Sequence, residues 1–486
     1  MSVLPYRANV FVDHKSISQF LLACQQNCRI KSCTQLVSIS LEIELVDPLS
    51  VLQLAKRDEL SFYFENRGKG EAIAAIDAVV KLQLEGSKNR FYQAQKFINL
   101  CLANTLTVGI SDELFAGPHF FCSFSFFDEP AQADYPFPSA TVFLPRCQVA
   151  TRRDRCILVT NLVISAEISI EIVVQQLSEK IEIIRSSQFS SNRANNYRQK
   201  LIKQPEENLD NFKQTVLSSL ASIDSSNLSL LNAAAGAASG RTLSKIVIAQ
   251  ALDVSSHSPF KLFQSLNNLR MIHPDCYIFS ISNGKGQNFI GASPERLISI
   301  RNQKLTTDAL AGSAPRGKTA AEEDDLENRL LSSEKEKREH QVVIDFIIQR
   351  LYKLGLVPQK LPLQLRQLSN IQHLWTPIQA KVPTSVQPLE IVAELHPTPA
   401  VAGAARDIAC AEIRRYESFE RGLYAAPLGW IDHRNNSEFI VGIRSALIDG
   451  DRARLYAGAG IVAGSDPDKE LAEIQLKLQA LLKALI

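Results

Sequence analysis

Glu470, Glu473 and Lys477 follow one another three and four residues apart near the end of the chain. On a helix that spacing puts all three on neighbouring faces. The trio is either a solvated ion-pair face or a set of oxygen ligands with a cation beside it. Glu339 stands at helical spacing from Val342, Val343 and Phe346, so it extends an apolar stripe. Buried there, a carboxylate needs a cation or hydrogen-bond donors; at the edge of the stripe, water is enough. Lys245 opens the apolar run Lys-Ile-Val-Ile-Ala. A lysine withdrawn from water has a lowered pKa and can act as a base near neutral pH, while one at an exposed strand end stays an ordinary cation. Glu295 lies in Gly291-Ala-Ser-Pro-Glu-Arg, after the strand-like Phe289-Ile290, where a carboxyl is either catalytic or surface.

Other chemistries are poorly supplied. Gly284-Lys285-Gly286 reads as a hairpin turn, and Ala457-Gly458-Ala459-Gly460 has no strong helix start directly after it. Neither meets the dinucleotide fingerprint, and there is no P-loop. Nine cysteines are scattered along the chain, with Cys24, Cys28 and Cys33 the only close group. That spacing is not a zinc pattern, so the thiols are read as reduced and mostly in the core. Lys and Arg number 53 against 51 Asp and Glu, which favours neither nucleic acid nor a membrane surface. No basic-then-apolar leader opens the chain, and the greasiest region, 157–177, is interrupted by Glu167 and Glu171. A soluble, cytoplasmic protein is expected.

Elements that must position these side chains can be read from periodicity. Of the 486 residues, 45% are hydrophobic, enough for a sizeable core. Leu36 to Val46 alternates apolar and polar, which predicts a half-buried strand. Ala72 to Leu84 has helical spacing. Asn195 to Leu231 is polar and helix-like, and the small-residue run Asn232 to Gly240 reads as a connector. The chain therefore divides into 1–232, a scaffold subdomain without a catalytic constellation, and 233–486, which carries the candidate chemistry. In the second part strands are expected at 245–251, 276–281, 297–301, 371–382 and 438–448, and long helices at 334–353, 403–418 and 467–485. The last helix starts at Ser465-Asp466-Pro467 and buries Leu471, Ile474, Leu478, Leu481 and Leu485. Turn signals such as Asn283-Gly284 join the strands, so a largely antiparallel α+β fold is predicted.

Taken in order, several segments resemble the chorismate-utilising enzymes. They are Lys245-Ile-Val-Ile-Ala, Gly291-Ala-Ser-Pro-Glu-Arg, Leu310-Ala-Gly-Ser-Ala-Pro-Arg-Gly, Arg338-Glu-His, His373-Leu-Trp, Leu395-His-Pro-Thr-Pro-Ala-Val-Ala-Gly, Gly442-Ile-Arg-Ser-Ala, Tyr456-Ala-Gly-Ala-Gly-Ile-Val and Ser465 to Lys477. The likeness is dense over about 235–486 and only general before residue 230. It implies a large α+β unit with two packed antiparallel sheets flanked by helices. It also implies that Lys245 is a base, Glu295 a general acid, and Glu339 and Glu473 magnesium ligands, with Glu470 helping through a bound water. Arg444 and Lys477 match the cations that hold a side-chain carboxylate. Gly312, Ser313 and Gly458 match positions close to the substrate, and His373 matches a pocket histidine whose role is either chemical or structural.

Within the family, three positions resemble the members that use water. Lys245 falls where aminating members usually carry glutamine, Ala311 where aminodeoxychorismate synthase carries its nucleophilic lysine, and Ala400 where aminating members and salicylate synthases usually carry threonine. The segment Phe419 to Trp430 looks like isochorismate synthases of quinone pathways. The resemblance thus implies a Mg2+-dependent isochorismate synthase whose ligands are chorismate and isochorismate. It would be a monomer or weak homodimer with no amidotransferase subunit, feeding menaquinone, phylloquinone, siderophore or salicylate synthesis. A salicylate synthase, or an inactive chorismate-binding paralogue, is the alternative.

Overall fold

The computed structural model describes residues 14–129, 135–187, 201–203, 209–231, 242–368 and 371–485. The connector expected at 232–240 lies outside them. Among the described residues, the strands hydrogen-bond into one continuous network that branches at Ala140–Arg152. One edge of that strand pairs with Glu71–Leu84, while the other pairs first with His119–Phe124 and then with Arg155–Ile164. The two sheets expected from the sequence are the two arms of this network. One arm runs from Glu71–Leu84 through Leu60–Asn66, Tyr277–Asn283, Gln287–Ser293, Ser445–Asp449 and Arg452–Val462 to Lys245–Ser256. The other runs from His119–Phe124 through Pro427–Asp432, Ser437–Val441, Arg296–Arg301 and Lys304–Pro315 to Ile371–Lys381. Each arm begins with strands from 1–232 and continues with strands from 233–486, so both parts of the chain share the network. The pairings are antiparallel except that Gln35–Ile43 runs parallel to Thr105–Gly109. The expected α+β class holds.

The C-terminal elements stand close to where periodicity placed them. Lys245–Ser256, Tyr277–Asn283, Arg296–Arg301 and Ile371–Lys381 are strands, and Glu334–Lys353, Arg406–Tyr416 and Pro467–Leu485 are helices. The last helix buries all five residues of its predicted stripe. Glu334–Lys353 packs on Lys304–Pro315, and Pro467–Leu485 packs on Arg452–Val462. These two helices bring Glu339 and Glu473 to the ends of opposite arms.

Three expectations need correction. Ala72 to Leu84 is not a helix but most of a 14-residue strand. Its alanines have high helix propensity, yet it is paired along both edges, and Ala72, Ala74 and Ala75 are buried. Hydrogen bonding from two neighbours outweighs a preference of a few tenths of a kcal/mol per residue. Gln35–Ile43 is a strand as expected, but its centre is buried on both faces. Val37 and Ile39 pack on the flanking helices, and Ser40 Oγ accepts from Gly117 N at 2.8 Å. The single strand expected at 438–448 is two, Ser437–Val441 and Ser445–Asp449, and they belong to different arms. The chain crosses between arms at Gly442–Arg444, where Arg444 adopts φ +51°, a conformation uncommon for a residue with a Cβ.

Candidate active site

Lys245 is the first residue of its strand, and only 4% of its side chain is exposed. Val462 lies opposite on one edge and Ala404 on the other, so the backbone is paired on both sides, and the side chain lines the cavity between the arms. There its Nζ donates to Glu339 Oε1 at 2.6 Å. Glu339 projects from Glu334–Lys353, beside rather than within the buried face of His340, Val343, Ile344, Ile347 and Leu351. Burial alone would raise its pKa, but the ammonium of Lys245 holds it below the usual carboxylate value. The partly buried carboxylate beside the apolar stripe thus has a lysine as its cation.

Glu295 occupies the link between Gln287–Ser293 and Arg296–Arg301. Its backbone is fixed on both sides: its amide donates to Ser293 Oγ at 3.2 Å, and its carbonyl accepts from Val441 N at 3.1 Å. The carboxyl is buried. Removal from water pushes its pKa up to about 8, with a further push from the nearby Asp308 carboxylate and a smaller pull down from Lys245. At neutral pH it carries its proton.

A second group of carboxylates gathers between the two helices. Glu473 pairs with Lys477 one turn on, at 2.6 Å, and Lys477 also donates to the Gly458 carbonyl at 2.9 Å. Glu470 and Glu336 are raised above their ordinary values, first by burial and then by neighbouring carboxylates, Glu473 for the former and Glu339 for the latter. Among the described residues no three His, Cys, Asp or Glu side chains stand together as a formed metal cage; Glu339 and Glu473 are each turned to a lysine. The donor set nevertheless suits a hard divalent cation. It is all oxygen, and Glu336 and Glu470 are raised in part by their carboxylate neighbours, a cost that a cation removes.

The rest of the cavity wall comes from the other arm. Gly312 has φ +77° and sits at a bulge between Ala311 and Ser313, a conformation that suits a residue without Cβ. The bulge turns Ser313 so that its amide donates to Glu336 Oε2 at 3.2 Å and its Oγ hydrogen-bonds with His373 Nδ1 at 3.0 Å. Burial, then Arg444 and Lys477, depress His373 to about 3. It offers a neutral hydrogen-bonding edge, not a cation. Arg444 reaches the cavity from the crossover, with Nη1 3.9 Å from Cys276 Sγ.

Every residue singled out from the sequence lines one cavity of about 180 Å³: Lys245, Glu295, Gly312, Ser313, Glu339, His373, Ala400, Arg444, Gly458, Glu470, Glu473 and Lys477. The same cavity is lined by Lys335, Glu336, Tyr424 and Tyr456, which sequence reasoning missed. Glu336 was detectable, since it precedes Glu339 by three residues and so shares its face. Tyr424 and Tyr456, stacked at 5.2 Å, have no local signature that separates them from core aromatics.

Across residues 21–486 the chain matches the family model described as chorismate binding enzyme. It is 41% identical over 249 residues to the salicylate biosynthesis isochorismate synthase of Pseudomonas aeruginosa, half of each chain. It is 38% identical over 243 residues to isochorismate synthase MenF of Bacillus subtilis, 50% of this chain and 51% of that one. The matched segment thus spans about half the length of these curated relatives. In three dimensions it superposes on the menaquinone-specific isochorismate synthase MenF of Escherichia coli with a TM-score of 0.73 and 27% identity, over 96% of this chain and all of that one.

Proposed function

The chain belongs to the chorismate binding enzyme family, and from that premise we propose that it converts chorismate to isochorismate with magnesium as cofactor. The observation that carries the reading is Glu295: a buried carboxyl that keeps its proton to about pH 8, in one cavity with a buried lysine. The reaction adds water at one ring carbon and expels hydroxide two carbons away, while both ring double bonds each move one place along the rest of the ring. Water in and water out balance, so the net change is an isomerisation.

Water is a poor nucleophile and hydroxide a poor leaving group. Lys245 takes the proton from the entering water, and Glu295 gives its proton to the leaving oxygen. Two groups of opposite assignment in one site need environments that differ, as in other acid–base pairs. Arg444 and Lys477 neutralise the side-chain carboxylate, and an arginine fork can hold it with two bonds. Gly312 and Gly458 let the backbone come close to the ring. Bound magnesium would screen the ring carboxylate from the protein's own carboxylates, held by Glu339 and Glu473 with Glu470 reaching it through water. Lys245 works as a base only in its neutral form, so the charge of Glu339 must then be met by another cation, which is the place for the metal.

Ala311 and Ala400 both line the pocket, and neither carries an amine or hydroxyl that could compete with water. No ammonia supply is required, and we assign no amidotransferase subunit. We place the product at the head of quinone synthesis, as for the menaquinone-specific isochorismate synthase of Escherichia coli that the chain matches along its length, and the enzyme in the cytoplasm as a monomer or weak homodimer. The test is a product assay with purified protein, chorismate and magnesium. Isochorismate alone is expected. Salicylate with pyruvate, an aminated product, or no turnover would each overturn the reading.

A further inference from the structure

One wall of the cavity is held by a buried ion pair that does not itself reach the cavity. Arg421 and Glu417 are 0% and 3% exposed at their side chains. The guanidinium grips the carboxylate with two bonds, Nε to Oε2 at 2.8 Å and Nη2 to Oε1 at 2.5 Å. It also donates from Nη1 to the Val401 carbonyl at 2.9 Å and from Nη2 to the Val247 carbonyl at 2.8 Å. Glu417 Oε1 in turn accepts from Ala249 N at 2.7 Å. The plane of Arg421 lies over Phe126, 4.5 Å from the ring centre, with Tyr424 at 5.7 Å.

The place of these bonds explains their need. On the strand that begins with Lys245, the short partner Gly403–Ala404 reaches only Lys245 and Ile246. Past them, Val247 N donates to Ala402 O, and two further edge groups, Val247 O and Ala249 N, are met by Arg421 and Glu417. The pair thus stands in for a missing strand and ties that edge to Val401. Val247, Val401 and Tyr424 line the cavity, as does Ala400 beside Val401. A buried ion pair gains little stability over apolar residues of similar size. An apolar pair could fill the space, but it could not fix two carbonyls and an amide at once.

We propose that Glu417 and Arg421 are positioning residues for the reaction, setting the distance between the Lys245 strand and the Ala400–Val401 wall and so the place of the ring between Lys245 and Glu295. The proposal rests on the chorismate reading for its kinetic arm alone. An ammonium has three donors on one point and cannot span the four acceptor contacts of the planar fork, so Arg421→Lys does not substitute for the arginine. With chorismate and magnesium, kcat per folded site is expected to fall 10- to 100-fold while KM stays within threefold, because Arg444 and Lys477, which hold the substrate's charge, sit on other elements. The double change Arg421→Met with Glu417→Leu restores an apolar filling without the bonds. It is expected to keep the melting temperature but show the same loss of kcat. Hydrogen exchange of amides 245–250, read without substrate, is expected to quicken at least tenfold in both variants. If either variant keeps kcat per folded site within twofold, if KM rises while kcat holds, or if exchange is unchanged, the pair is only structural. If wild-type protein does not turn chorismate over, the functional reading fails, and the exchange measurement still decides the role of the pair.

Discussion

Gly460 leaves Lys245 its place: a Cβ built on Gly460 would lie 3.1 Å from Lys245 Cε and 3.5 Å from Glu339 Oε1. The two residues stand on adjacent strands, and the glycine is what lets the lysine turn inward beside the carboxylate. Gly460→Ala should push the ammonium aside by a few tenths of an ångström. Displacements of about 1 Å can cost on the order of 10²-fold in rate, so a fall of about tenfold in kcat is expected with little change in melting temperature. A normal kcat for Gly460→Ala would show that Lys245 tolerates displacement and would weaken its assignment as the base.

Glu295 gives a pH dependence with a definite sign. It acts as an acid only while protonated, so kcat should fall as pH rises through about 8, the value to which burial lifts it. Glu295→Gln should lose roughly 10²–10⁴-fold in rate, and its residual activity should lack that alkaline limb. Stability moves the same way. In the unfolded chain the carboxyl ionises near 4.5, in the folded one near 8. Its contribution to stability is therefore full below pH 4.5 and is lost as pH rises through 8. Melting temperatures of Glu295→Gln should exceed those of wild type at pH 8 and converge with them at pH 4.5. An unchanged difference across that range would mean that Glu295 is ionised in the fold.

How much of this was legible in the sequence depended on whether the cause was local. The stripe from Leu471 to Leu485 announced its helix because burial of one face follows from spacing alone. Ala72 to Leu84 misled because its alanines favour a helix while one of the strands that pair with it, Ala140–Arg152, lies far along the chain. The break at Arg444 was hidden for a related reason: two strands of different arms join through three residues, and continuous strand-like composition runs across them. Within the site, residue identities could be read, but not their pairing. Lys245 and Glu339 are 94 residues apart, and nothing near either says that they meet. Glu417 and Arg421, four residues apart, are buried between a strand edge and a loop, and nothing in their spacing says so.

Metal dependence is the expectation the carboxylates give. Glu336 and Glu470 are held above their ordinary pKa partly by neighbouring carboxylates, so a divalent cation should bind and relieve them. Activity should vanish with a chelator and return with magnesium. Glu339→Gln should raise the magnesium concentration for half-maximal activity by at least tenfold, measured alongside direct metal binding by calorimetry. Full activity of that variant in metal-free buffer would falsify the ligand assignment.

The nucleophile can be traced by isotope. On the proposed reading Lys245 takes a proton from water, and the two alanines of the wall, Ala311 and Ala400, contribute no amine or hydroxyl. The new ring oxygen should therefore come from solvent. In ¹⁸O-labelled water with ammonium added, label is expected at the newly hydroxylated carbon, with little aminated product. An unlabelled hydroxyl would mean internal migration, leaving Lys245 without a water to activate. Ala400→Thr sharpens the experiment. Ala400 adjoins Val401, whose carbonyl is fixed by Arg421 at 2.9 Å, so the wall cannot easily retreat from a larger side chain. The added hydroxyl and methyl should then enter the cavity and either slow turnover or divert part of the product. If Ala400→Thr changes neither rate nor product, Ala400 is only packing, and the choice of water rests on Lys245 alone.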